Sequence, residues 1–140
     1  MNNPINIEML VDAPLDQVWN FWNEPEHVKG WNAAHPAWHS PSASNDLREG
    51  GAFSYRMEAR DGSMGFDFEG SYTEVRPNES IAYTMGDGRR ARVEFSAEEG
   101  KTRIRESFEA EGQNPREMQQ AGWQSILENF AVYATQRAQR

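Results

Sequence analysis

Apolar residues recur at every second position through the middle of the chain: Phe53, Tyr55, Met57 and Ala59, then Phe66, Phe68, Gly70 and Tyr72, then Ile81, Tyr83 and Met85. A period of two predicts antiparallel strands that bury one face. Pairing Ala59 with Phe66 across the loop 60–65, and Tyr72 with Tyr83 across Pro77-Asn78, keeps this apolar set together. Val75 falls out of phase, which predicts a bulge near it. A two-residue turn at Asp87-Gly88 would force Ile81, Tyr83 and Met85 outward, so that loop is expected to hold three or five residues. The last hairpin pairs Phe95 with Ile104, Val93 with Glu106 and Ala91 with Phe108 across Glu98-Glu99-Gly100-Lys101. The same register sets Glu94 opposite Arg105 on the outer face, an opposite-charge pair.

Before this meander, Ile5, Ile7, Met9 and Val11 alternate with largely polar positions as a first strand. Pro14, at the first helical position, opens a short helix carrying Leu15, Val18, Trp19 and Phe21-Trp22, and Pro25 opens a second through Val28 to Trp31. Residues 32–45 read as a loop with a short extended piece around Trp38. At the other end, Asn114 is the expected N-cap and Pro115 the first-turn residue of a long helix. Its buried stripe runs through Met118, Gly122, Trp123, Ile126, Leu127, Phe130, Tyr133 and Ala134. Continued to Arg137, this helix is long enough to cross a whole sheet. The expected fold is α+β: a curved antiparallel sheet wrapped around a long C-terminal helix, with two short helices after the first strand. A single domain over residues 4–137 is expected.

Composition narrows the partners. A formal charge of −8 opposes binding to nucleic acid or anionic lipid, and 37% hydrophobic residues exclude disorder. With no cysteine there is no disulfide or thiolate chemistry. No apolar run approaches the roughly 20 residues of a membrane span, and no basic n-region with an apolar stretch opens the chain. A cytoplasmic protein, monomer or homodimer, is expected.

Several sequence features together resemble a known family. These are Ala13-Pro14 with Val18-Trp19 and Trp22, Pro25 and Trp31, Leu47-Arg48-Glu49-Gly50-Gly51-Ala52-Phe53, Gly70-Ser71-Tyr72-Thr73-Glu74-Val75, and Gly122-Trp123 with Leu127 and Phe130. The family is that related to the activator of the Hsp90 ATPase, within the START-like (SRPBCC) helix-grip superfamily, and the resemblance covers residues 5 to 137. It implies a cavity between sheet and long helix, used across the superfamily for lipids, hormones and polyketides. It carries over no catalytic set, since fold alone assigns no reaction. It also implies a chaperone partner as an alternative; the eukaryotic activator has an additional N-terminal chaperone-binding domain, whereas this sequence opens about four residues before its first strand.

Glu106 is the one charged residue on the inward face of the five consecutive strand segments, set between Ile104 and Phe108. A carboxyl among apolar groups is costly to bury without a partner, so Glu106 marks either an internal polar site or an anchor satisfied by a tyrosine, tryptophan or arginine. Around it, Tyr55, Phe68, Tyr83, Phe108, Trp123 and Ile126 are candidate walls of an apolar pocket, and Gly122 leaves room beneath the helix. Trp31, with His35 and Trp38 from the loop that follows it, forms a candidate rim. No metal is expected, because Pro36 breaks the His35 to His39 step and no nearby acid completes a ligand set. No nucleophilic serine motif, phosphate loop or dinucleotide fingerprint is present, and no cofactor is expected. On the outer face of the first hairpin, Glu58 is expected opposite Asp67 and Arg56 opposite Glu69, a solvated face first and a patch for a basic partner second. Binding of a small apolar or amphipathic ligand ranks first. A cyclase- or hydrolase-type enzyme using Glu106 ranks second, and a co-chaperone third.

Overall fold

The computed structural model describes Met1 and residues 3–139. Strand β1 (Ile5–Val11) leads into helices α1 (Leu15–Asn23) and α2 (Pro25–Trp31), followed by two short strands, β2 (Trp38–His39) and β3 (Ala43–Asn45). The meander comprises β4 (Ala52–Ala59), β5 (Gly65–Arg76), β6 (Ser80–Met85), β7 (Arg90–Glu98) and β8 (Lys101–Phe108), and α3 (Arg116–Arg137) closes the chain. The eight strands form one curled antiparallel sheet in the order β1-β8-β7-β6-β5-β4-β2, with β3 also on β4.

Alternation gives the sheet one apolar face, and the curl closes around it. In β4, Phe53, Tyr55, Met57 and Ala59 are buried while the residues between them are not. The 22-residue α3 is about 33 Å long at 1.5 Å per residue and runs along β1 inside the curl. Leu127, Phe130 and Ala134 of α3 are fully enclosed, as are Val18 and Val28 of the short helices and Ile104 and Phe108 of β8. Polar side chains of α3 reach the otherwise open edge of β1. Arg116 donates to the Asn3 and Pro4 carbonyls at 3.0 and 3.3 Å, and Gln120 donates to the Asn6 carbonyl at 3.4 Å.

Most registers follow the apolar parity. Tyr72 pairs with Tyr83, and the bulge falls between Tyr72 and Glu74. Ile81 pairs with Val93 across a three-residue loop, 86–88, closed by the Met85 amide donating to the Arg89 carbonyl at 2.7 Å. Phe95, Val93 and Ala91 pair with Ile104, Glu106 and Phe108, and Glu94 with Arg105. Glu99 and Gly100, at φ of 54° and 83°, form the two-residue turn whose twist suits a hairpin.

The structure corrects several expectations. The loop of the first hairpin is shorter by a pair of residues: Phe53 pairs with Gly70 and Met57 with Phe66, while the Ala59 amide donates to the Met64 carbonyl at 2.9 Å. Local turn chemistry sets this, because Asp61 accepts from the Ser63 amide and hydroxyl at 2.9 and 2.6 Å, and Gly62 takes a φ of 78°. As a result Arg56, not Glu58, stands opposite Asp67, and it donates to both acids. The opposed like charges do not arise.

Pro14 and Pro115 are N-caps rather than first helical residues, with extended ψ of 150° and 146°. Asn114 therefore lies outside α3, where its carbonyl accepts from Gln119. Met118 is 60% exposed, and Gln119 takes the buried place in the first turn. Its side chain accepts from the Glu111 amide at 2.9 Å and donates to the Glu111 and Asn114 carbonyls, anchoring the loop before the helix. Residues 32–45 contain β3 as well as the extended piece at Trp38.

Candidate functional site

A cavity of about 350 Å³ lies between the concave face of the sheet and the helices. Its sheet wall is aromatic because every second residue of β4, β5 and β6 points inward. Phe53 stands at the centre of that wall, with ring centroids of Tyr55, Phe68, Tyr72 and Tyr83 at 5.0 to 5.5 Å from its own. Gly70 makes this possible: a Cβ there would meet the Thr84 carbonyl at 2.5 Å and the Phe53 ring at 3.1 Å. The room left by Gly70 is filled by Phe53.

The helices supply the other side. The rings of Trp22 and Trp31 lie 4.8 Å apart and both edge onto Phe130, while the Trp31 indole N–H donates to the Phe21 carbonyl at 2.9 Å. Their rings are thus fixed by the core and present apolar surface to the cavity. On α3, Trp123 and Ile126 line it, with Trp123 stacked on Phe108.

Polar groups are few and differ in whether they are satisfied. Tyr55 hydrogen-bonds Tyr72, and Tyr72 donates to Asn45 Oδ1, whose amide in turn donates to the Asn23 carbonyl at 2.8 Å. Burial pushes both phenols upward, Tyr72 to about 12. Arg89 is held by Asp87 at 2.7 Å and by the Glu109 carbonyl at 3.3 Å.

Glu106 is the exception. It is 6% exposed, lines the cavity, and its carboxyl has no hydrogen-bond or ion-pair partner among the described residues. Its cross-strand neighbours are Ile7 and Val93, and Ile104 and Phe108 flank it on its own strand. Desolvation by this apolar frame raises its pKa to about 8. Tyr83 is close enough for the Glu106 charge to add to the burial that keeps its phenol protonated. A second unpartnered polar atom on the wall is Nδ2 of Asn32, also buried.

Of the candidates that the sequence suggests, Trp31, Tyr55, Phe68, Tyr83, Glu106, Trp123 and Ile126 line this cavity. Phe108 lies behind Trp123 rather than on the wall. Gly122 sits near Ile126 on the helix, with open space where a Cβ would project. His35 is exposed and accepts from the Ala37 amide at 3.0 Å, outside the cavity wall. Trp38 backs Phe66 at 6.0 Å, and it is Phe66, 49% exposed, that lines the opening. Hydrophobic periodicity does not find Asn32, Arg89, Glu111, Asn114 and Gln119, which lie on loops or at helix ends and complete the wall. For Gln119 there was a signal, since it precedes Trp123 and Ile126 by four and seven positions on one helical stripe.

Among the described residues no group of three His, Asp or Glu side chains is placed to hold a metal, and no helix is long and apolar enough to cross a membrane. His27 bonds the Tyr133 hydroxyl at 2.7 Å, and His39 stands 4.0 Å from Glu58.

Comparison with curated proteins found no match. Among solved structures, an AHSA1-like protein from Aeromonas hydrophila is 40% identical, covers 92% of this chain and 91% of its own, and superposes with a TM-score of 0.85. A protein from Cytophaga hutchinsonii is 50% identical over 94% of this chain and 92% of its own, with a TM-score of 0.82. A Chromobacterium violaceum protein at 22% identity shares the fold, covering 95% of this chain and 98% of its own with a TM-score of 0.84. The family model described as activator of Hsp90 ATPase homolog 1-like protein matches residues 12–135, and the chain belongs to that family.

Proposed function

We propose that this protein binds a small, largely apolar molecule in the cavity between sheet and helix, as a single-domain cytoplasmic carrier spanning residues 4–137, monomeric or homodimeric. One observation carries the reading: a cavity of about 350 Å³ with aromatic walls holds a carboxyl, Glu106, that the protein leaves without a partner among the described residues. Binding sites for small molecules commonly have this make-up, apolar surface with a few aimed polar groups. The ligand slides between the rings of Phe53, Tyr83 and Trp123 and turns its polar end to Glu106 and Asn32. Phe66 borders its path.

Native mass spectrometry of freshly purified protein tests this. The expected result is an adduct that dissociates on denaturation, together with a change in tryptophan emission from Trp22, Trp31 and Trp123 when an apolar probe is titrated in. Absence of both, over a panel of probes, overturns the proposal.

Proton transfer is the second reading, favoured by a Glu106 pKa of about 8, close to the pH at which a general acid or base works well. It requires a substrate whose reacting atom comes within hydrogen-bond reach of Glu106. Turnover that survives in Glu106→Gln would remove it. No observation favours the co-chaperone role.

A further inference from the structure

We propose that the ligand is a hydrophobic organic cation, an aromatic or alicyclic body bearing a protonated amine whose ammonium group seats against the Glu106 carboxylate. The inference rests on the binding reading above and specifies the ligand's chemistry.

Three observations lead to it. Glu106 is an isolated acid on the concave face, framed by Ile7, Val93, Ile104 and Phe108. The arginines that β7 and β8 provide are engaged elsewhere: Arg90 with Glu109, Arg92 with Glu74, Arg103 with Glu98, and Arg105 with Glu8. Arg89, the cation on the cavity wall, is already compensated by Asp87 at 2.7 Å. An ionised carboxylate in such surroundings is stabilised when a ligand brings the missing positive charge.

The walls suit the same charge. Faces of Phe, Tyr and Trp rings carry negative potential that attracts ammonium groups, and Phe53, Tyr83 and Trp123 supply such rings around the cavity. At long range, a formal charge of −8 draws cations and repels anions.

Binding is then linked to one proton. Tyr83 of β6 is the titratable group that interacts with Glu106, and Ile7 of β1 stands opposite it; Tyr55 of β4, Tyr72 of β5, Arg89 and Glu111 of the loops, and Gln119, Trp123 and Ile126 of α3 share the cavity wall with it. The phenols are held protonated by burial through neutral pH, so they do not compete. Below about pH 8 the free protein holds Glu106 as the neutral acid, and an arriving ammonium ion displaces that proton to solvent.

The test is calorimetric titration of the full chain with 2-(2-naphthyl)ethylamine, its matching alcohol and its matching carboxylic acid. At pH 8 the amine is expected to bind at least tenfold more tightly than either. Its affinity should rise about tenfold per pH unit from pH 6 to 8 and then level, with one proton released per amine bound at pH 6 to 7. Glu106→Gln should remove the pH dependence and the preference for the amine. Equal or tighter binding of the alcohol or the acid overturns the cation assignment and leaves the cavity reading standing. If none of the three binds the wild-type protein, both readings fall.

Discussion

Phe108 and Trp123 stack face to face, with ring centroids 3.8 Å apart and planes 10° from parallel. The last residue of the sheet thereby fixes the orientation of a cavity wall carried by the terminal helix. Phe108 is fully buried and also neighbours Glu106 on the strand, so one residue serves the fold and frames the polar site.

Phe108→Ala is expected to lower stability by about 3–5 kcal/mol, the usual cost of deleting a buried ring. Urea denaturation measures it, and Trp123 emission should shift to the red as its platform disappears. A loss below about 1 kcal/mol, well under that usual cost, would show that the stack contributes little and that Trp123 is held by other contacts.

The pH profile of stability follows from the sign of each carboxyl shift. Glu106 has a folded pKa of about 8 against an ordinary 4.5, so the folded state keeps a proton the unfolded chain has lost. Its contribution is most favourable below pH 4.5, declines as pH rises to about 8, and is constant above. Glu74 and Glu98 have lowered pKa values, through Ser80 with Arg92 and through Arg103, and their contribution is lost as pH falls. Stability should therefore be greatest near the upper end of the carboxylate range and fall between about pH 5 and 8. Glu106→Gln should flatten that fall and stabilise the protein at pH 9 by on the order of 3–5 kcal/mol. Chemical denaturation at pH 5, 7 and 9 checks both, and a wild-type profile that rises over this range would contradict the assignment.

Two helical glycines are expected to respond oppositely to alanine. In α3, a Cβ at Gly122 meets nothing within 4 Å, so Gly122→Ala should stabilise by ~0.5–1 kcal/mol through helix propensity alone. In α2, a Cβ at Gly30 would collide with the Tyr133 ring, which also holds His27. Gly30→Ala should therefore destabilise despite the same gain in propensity. Thermal unfolding of the two variants decides, and equal shifts would mean that Gly30 is not required for the α2 to α3 approach.

The meander was legible because a slip of one residue would turn every apolar side chain outward, which ties parity to burial. A slip of two preserves parity, and this is how the first hairpin escaped: the choice between Ala59 to Phe66 and Met57 to Phe66 lay with Asp61 and Gly62, not with the pattern. Glu106 stood out for a related reason, as a charged residue in an otherwise apolar alternation. The polar end of the cavity left no such trace. Asn32, Arg89, Glu111 and Asn114 lie in loops, where no period constrains which way a side chain faces. Met118 and Gln119 show a further limit, since hydrophobicity favoured the methionine while the three hydrogen bonds of Gln119 decided which residue turned inward.

Arg116 and Gln120, reaching from α3 to the carbonyls of β1 and the residues before it, bear on how copies of this chain behave when crowded together. A seven-residue rim strand would otherwise be a template on which a second molecule could add its own strand and begin a fibre. At the opposite rim the terminal strands are only two and three residues long, too short to seed such growth. Resistance to edge-to-edge assembly is thus built into the same helix that roofs the cavity, and loosening its first turn would expose the chain to aggregation before it emptied the core.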